Sequence, residues 1–226
     1  MESRDFESIK SDLISLGFGY AGSPSITPPD PEKIIIEIIK LYPEDQKLYG
    51  IFLAWMERFG DLIHVERLSN QIDLLTQDEK VILGVTALKL WNNGDHRFKV
   101  IFDKIKKKNI RLEMTLPGRD NYLIEKNGRD KEFLPFGVTT STVQVSENKK
   151  LMDRSFVIKN NLWLRLRVLL GANYRADMVF VKLMSLANNA YEAMKFLRCS
   201  KETSYRIWGS LEEANVEDMI KVGEAA

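Results

Sequence analysis

"LRCSKETSYRIWGSLEEANV", residues 197–216, is the stretch on which the reading of this chain turns. Ser200 stands where a helix cap would accept an otherwise unpaired backbone N–H. Ser204, Trp208 and Leu211 then recur at steps of four and three, which marks one face of a helix. The opposite face carries Glu202, Tyr205, Arg206, Gly209 and Glu213. Asn215 follows, and asparagine tolerates the left-handed backbone that often ends a helix. Two further helical patterns precede this one at close range, ANYRADMVFVKLMSLA and NAYEAMKFLR, so the apolar face is expected to pack on Met178, Phe180, Leu183, Ala193 and Leu197. Three helices with a very short link between the last two have the geometry of a helix-turn-helix unit, whose third helix is presented to the DNA major groove.

At these residues the chain resembles the winged helix-turn-helix domains of bacterial transcription regulators. Glu192-Ala193-Met194 and Leu197-Arg198 fall where that family has Glu-Ile-Ala and Leu-Gly. Cys199, Ser200, Thr203-Ser204, Arg206, Trp208, Leu211 and Glu213-Ala214-Asn215-Val216 match its apolar residue, Ser cap, Thr-Val pair, Arg and Leu-x-x-Leu ending. GANYRAD, residues 171–177, is similar to the lead-in to the family's first helix, and the resemblance covers about a quarter of the chain. It implies a sequence-specific regulator that reads double-stranded DNA with the helix at 201–214. Lys201, Tyr205 and Arg206 would reach the groove, Arg reading guanine and Lys holding phosphate. Ser200 and Thr203 would add phosphate hydrogen bonds, and Lys195 and Arg198 would border the groove. After the third helix only EDMIKVGEAA remains, room for one strand and so for a reduced wing. Glu202, Glu212 and Glu213 repel phosphates, which keeps open an alternative: an antitoxin-like or complex subunit whose degenerate domain binds protein.

Composition narrows the setting. With 226 residues, 44% hydrophobic and 29% charged, the chain has the make-up of a globular protein. Lys and Arg number 33 against 32 Asp and Glu, so a polyanion would have to be held by a local patch rather than by the whole molecule's field. The single Cys199 excludes an internal disulfide and any multi-thiolate site, and suits a reducing compartment. The first 22 residues place charges where a signal peptide needs apolar residues, and IIIEII is far short of a membrane span; a cytoplasmic protein that does not engage membranes is expected.

The expected fold is mainly α, in four stretches. Residues 1–31 hold an N-terminal helix, FESIKSDLISL, and a linker rich in Pro24, Pro28, Pro29 and Pro31. Residues 32–112 form a helical domain of about five helices by their apolar spacing. Residues 113–160 read as a connector of short strands and loops: RLEMTLP alternates, Asn127-Gly128 sits between apolar ends, and TTSTVQV is β-branched. Residues 161–226 form the winged-helix-like domain, opened by LWLRLRVLL with Asn161 as cap and Gly171 as stop. In that helix Arg165 and Arg167 sit among apolar residues, to be paired with carboxylates or extended to solvent; its apolar surface suits the seam of a homodimer.

Other motifs point to no chemistry. GFGYAG, residues 17–22, spells the dinucleotide fingerprint, but a helix precedes it and prolines follow, so a flexible hinge is expected. His64 beside Glu66 and His96 beside Asp95 lack a second ligand set, so no metal site is expected. Cys199 fits a small core position, the Trp residues at 55, 91, 163 and 208 fit core spacings, and Asp78-Glu79 and Glu212-Glu213 point apart as solvated charge. Lys104, Lys106, Lys107, Lys108 and Arg111 gather where cations complement a helix end. No enzyme, catalytic residue or cofactor is expected.

Overall fold

The computed structural model describes residues 6–106, 121–143 and 150–215, and it is mainly helical. Helix α1 is Phe6–Ser15 and α2 is Pro31–Leu41. Pro31 opens α2 because it needs no N–H donor there, and Asp30 Oδ1 accepts from the amides of Glu32 and Lys33 at 3.1 and 3.2 Å. Helices α3 (Gln46–Phe59), α4 (Val65–Ser69), α5 (Gln77–Asn92) and α6 (Lys99–Lys106) follow, so the apolar spacing of residues 32–106 reads out as five helices counted from α2. Helix α5 starts with a capping box, Thr76 Oγ1 accepting from Glu79 N and Glu79 Oε2 accepting from Thr76 N. From Lys80 to Leu88 it is buried on every side, packed against α2, α3 and α6. Gly84 permits this, since a Cβ there would lie 2.7 Å from the Phe136 ring.

The chain continues through α7 (Asn121–Asn127), α8 (Arg154–Asn160), α9 (Leu162–Leu170), α10 (Tyr174–Leu183), α11 (Ala190–Leu197) and α12 (Lys201–Glu213). Within the stretch expected to hold strands, residues 121–127 are helical and Lys131–Phe136 is a 3-10 turn. Gly128, at φ 80°, ends α7 by donating its amide to Ile124 O, and so serves as a helix stop rather than a hairpin turn. Strand pairing among the described residues is limited to two isolated bridges, Phe18 with Leu151 and Arg129 with Ser141. RLEMTLP and the end of TTSTVQV lie outside the described residues.

Buried side chains gather into two hydrophobic bodies. The first takes Ile9, Leu13 and Phe18 from the N-terminal stretch, α2 through α6, and Phe133, Val138, Leu151, Val157 and Leu164. The N-terminal helix and the expected connector thus share one core with the helical block. GFGYAG is no hinge: Gly19 N donates to Lys150 O and Met152 N to Gly17 O, both at 2.7 Å, and Trp55 Nε1 donates to Leu16 O. Gly17 has φ 92°, and a side chain there would collide with Val157. The second body is formed by α10, α11 and α12 with Trp163. Helix α9 belongs to both, Trp163 pointing into the second body and its neighbour Leu164 into the first.

Candidate functional site

Each helix of the second body begins on a side-chain cap, which fixes where its first turn points. Asn173 Oδ1 accepts from Arg175 N and Ala176 N at the start of α10, and Asn189 Oδ1 from Glu192 N at the start of α11. Ser200 Oγ accepts from Thr203 N at 3.1 Å and starts α12, as its position predicts. Ser204, Ile207, Trp208 and Leu211 are buried beneath α12, with Ser204 Oγ donating to Ala190 O at 2.6 Å. They lie in one cluster with Met178, Phe180, Ala193 and Leu197, and Leu183 sits at its edge. The ring of Trp163 stacks on Phe180 at 4.1 Å and 19°.

The joint between α11 and α12 turns on Arg198, whose φ 54° and ψ 41° are left-handed. Glycine adopts this backbone freely, whereas an L side chain pays about 1–2 kcal/mol. Asn70 of the first body clamps the joint, its Nδ2 donating to Arg198 O at 3.2 Å and to the Tyr174 hydroxyl at 2.9 Å. Cys199 is half-buried at this turn, and burial pushes its thiol up. Asn215 ends α12 at φ 48°.

The expected contact residues fall around this joint. Lys195, Arg198, Ser200, Lys201, Tyr205 and Arg206 are exposed, and Thr203 is half-buried. Lys195 Nζ lies 4.2 Å from the centroid of the Tyr191 ring and Lys201 Nζ 5.6 Å from that of Tyr205, giving a Lys–Tyr pair on each side of the turn. Thr203 and Arg206 border a cleft shared with Glu66 and Arg175, whereas Arg198 borders a different one, toward α2. Of the other basic cluster, Lys104 donates to Ser69 O at 2.8 Å and Lys106 covers the Phe102 ring; Lys107, Lys108 and Arg111 lie outside the described residues.

Beneath the unit lies a dry ion network that the sequence does not announce. Arg167 donates to Glu32 through Nη1 and Nη2 at 2.7 and 2.8 Å, to Asp177 through Nε at 2.8 Å, and to Leu62 O. Arg67 donates to Asp30 and Glu32, and both guanidiniums lie against the Trp163 ring. Trp163 Nε1 donates to Asp177 Oδ1 at 2.6 Å, and His64 Nδ1 meets Asp177 Oδ2 at 2.7 Å. Burial pushes the Asp177 carboxyl up, but Arg167, the His64 hydrogen bond and Arg67 outweigh it and hold it well below the usual range. Burial likewise lowers Arg167, and the Asp177 and Glu32 carboxylates more than restore it. An ionised Asp177 only accepts, so His64 Nδ1 is the donor in that pair.

Several local expectations are corrected here. His64 pairs with Asp177 and not with Glu66. Asp95 holds Arg97, through Nε at 2.9 Å, and not His96. Arg165 and Arg167 instead take the two courses open to them, Arg165 exposed and Arg167 buried among carboxylates, and α9 leaves Val168, Leu169 and Leu170 in solvent. Asp30, Glu32, Arg67 and Asp177 are not legible as a site in the sequence because their partners lie far along the chain, 135 residues in the case of Glu32 and Arg167.

A histidine oriented by a carboxylate is a component of acid–base sites. His64 borders a cavity of about 350 Å³ with Glu66, Ser69 and Arg97, yet among the described residues no hydroxyl or thiol bonds its ring. Nor do the described residues bring together three His, Cys, Asp or Glu side chains able to hold a metal ion, and no described helix is long and apolar enough to cross a membrane. No protein-family model, curated protein or solved structure matches the chain.

Proposed function

We propose that the protein is a DNA-binding transcription regulator that reads the major groove with α12, in a helix-turn-helix unit of the winged-helix kind. One observation carries this reading: α12 is two-sided. Its back is anchored in a dry core through Ser204, Ile207, Trp208 and Leu211, while Lys201, Tyr205 and Arg206 stand in solvent and Lys195, Arg198 and Ser200 flank them. Such a helix can enter a groove without disturbing its own support. Lys195, Arg198 and Lys201 hold phosphates, Arg206 reads a guanine edge, and Ser200 and Thr203 add phosphate hydrogen bonds. The carboxylate of Glu212 is turned onto Trp208 Nε1 at 2.7 Å, which lessens its repulsion of the backbone. The residues expected to form a reduced wing, 216–226, lie outside those described. Function is binding rather than catalysis, and its place is the cytoplasm.

A second copy fits this reading, because two half-sites call for two recognition helices. Val168, Leu169 and Leu170, exposed together at the end of α9, supply an apolar edge for that homodimer. The competing protein-interaction reading would use the same α12 surface, with Glu202 and Glu213 as its anionic contacts.

Fluorescence anisotropy on duplexes from the region upstream of the protein's own gene, against an unrelated duplex, tests the proposal. Preference for the upstream duplex, weakening with salt, and a loss of at least tenfold in Lys201→Glu/Arg206→Glu are expected. Absence of binding, or binding untouched by the double substitution, removes α12 as a DNA reader and favours the protein partner.

A further inference from the structure

Where α2 faces the α11–α12 joint, the two bodies enclose a cleft of about 500 Å³, a volume suited to a small molecule. Its apolar lining comes from Ile34 of α2 and Leu74 on one side and from Leu186 and Phe196 of α11 on the other. Leu74 and Leu186 are 40% and 37% exposed, so these walls are only partly covered by the protein itself.

The cleft is lined by three carboxylates, Asp12, Asp30 and Glu37, and three cations, Lys33, Lys40 and Arg198, and what sets them apart is their pairing. Asp12 accepts from the Ser25 hydroxyl, Asp30 is held by Arg67, and Glu37 is paired with Lys40 at 3.0 Å, so each carboxylate already has a donor. Lys33 and Arg198 line the same cleft, are exposed, and have no carboxylate partner among the described residues. Lys33 Nζ lies 5.8 Å from the centroid of the Phe196 ring. The Phe196 ring is half-buried and stacked on Trp163 at 6.4 Å, and its remaining surface beside two cations without a carboxylate partner suits a flat apolar body carrying a negative charge.

We infer that this cleft binds a small organic anion with a planar apolar body, the ring lying against Phe196 and the charge drawn to Lys33 and Arg198, and that the bound anion weakens DNA binding by engaging Arg198. The second half rests on the DNA-reading function proposed above; the first half does not. The coupling is direct because Arg198 is at once a wall of the cleft and the left-handed residue from which α12 departs, its carbonyl clamped by Asn70.

Isothermal titration calorimetry of the full chain with 2-naphthoate and its neutral analogue 2-naphthamide, up to millimolar concentration, tests the binding half. One equivalent of naphthoate is expected to bind, with naphthamide at least tenfold weaker. Lys33→Gln, at an exposed position, should leave the helical circular dichroism unchanged and weaken naphthoate at least fivefold, as should Arg198→Gln. No saturable naphthoate binding, equal binding of the amide, or both variants binding like the parent would overturn the site. The coupling half is read by adding saturating naphthoate to the DNA anisotropy assay. DNA affinity should fall at least threefold in the parent, and the naphthoate concentration that gives half of that fall should rise at least fivefold in Lys33→Gln. DNA binding indifferent to naphthoate would overturn the coupling, whereas naphthoate binding in a protein that binds no DNA at all would uphold the site and defeat the functional reading.

Discussion

The interior of the first body and the seam where it meets the second are both buried, yet they are assembled from different materials. Around Leu13, Phe18 and Trp55 the contacts are hydrocarbon and aromatic, with Phe18 and Trp55 stacked 5.9 Å apart. At the seam, Asp30, Glu32, Arg67, Arg167 and Asp177 are buried charges bonded to one another. Hydrocarbon burial is non-directional and rewards any tight packing. A guanidinium that must satisfy two carboxylates in fixed forks tolerates only one orientation. The apolar bodies therefore drive collapse, and the seam sets the angle at which α10, α11 and α12 stand on the first body.

Breaking each material once separates the two roles. Arg167→Met leaves Glu32 and Asp177 short of donors and should cost about 3–5 kcal/mol in urea unfolding. Leu13→Ala opens a void in the first body and should cost about 2–4 kcal/mol. The costs overlap, but the shapes should differ: Leu13→Ala keeps tryptophan fluorescence and circular dichroism transitions coincident, while Arg167→Met separates them. Coincident transitions in Arg167→Met would show that the apolar contacts alone couple the two bodies.

Acid probes the seam without a substitution. Asp177 has a native pKa depressed well below its unfolded value of about 3.9, so its contribution is complete above about pH 5 and lost as pH falls through 4 toward the native value. Its share of the slope approaches about 1.4 kcal/mol per pH unit between the native and unfolded values. Asp177→Asn should start less stable and show a flatter acid limb, and an unchanged limb would assign acid sensitivity to other carboxylates.

The smallest effect belongs to the joint that the seam supports. Arg198→Gly removes a side chain from a left-handed position and should raise stability by about 1 kcal/mol, read as a higher urea midpoint at unchanged slope. On the DNA-reading function proposed above, the same substitution should weaken DNA binding several-fold. Gain of stability without loss of binding would detach Arg198 from function.

What the sequence makes legible follows from range. The caps Asn161 and Ser200, the stops Gly171 and Asn215, and the buried face Ser204, Trp208 and Leu211 are governed by neighbours within one turn, and each stands in the structure as its spacing predicts. Asn127-Gly128 misleads because a glycine that ends a helix and one that turns a hairpin need the same positive φ, and only tertiary context chooses between them. GFGYAG misleads in the same way, its glycines serving a bridge to Lys150 and Met152 far along the chain. The candidate face of α12 could be named residue by residue, while the network beneath it could not. His64 finds Asp177 across 113 residues, and no local pattern marks that choice over the adjacent Glu66.

That distance has a consequence for the order of synthesis. Glu32 emerges 135 residues before Arg167, a delay of roughly 7–27 s at ribosomal speeds of about 5–20 residues per second. During that interval the nascent first body has Arg67 for Asp30 and Glu32 at the start of α2, but neither Arg167 nor the Trp163 ring against which both guanidiniums lie. The half-made protein carries an uncovered anionic wound on its flank, and it heals only when the last third of the chain arrives.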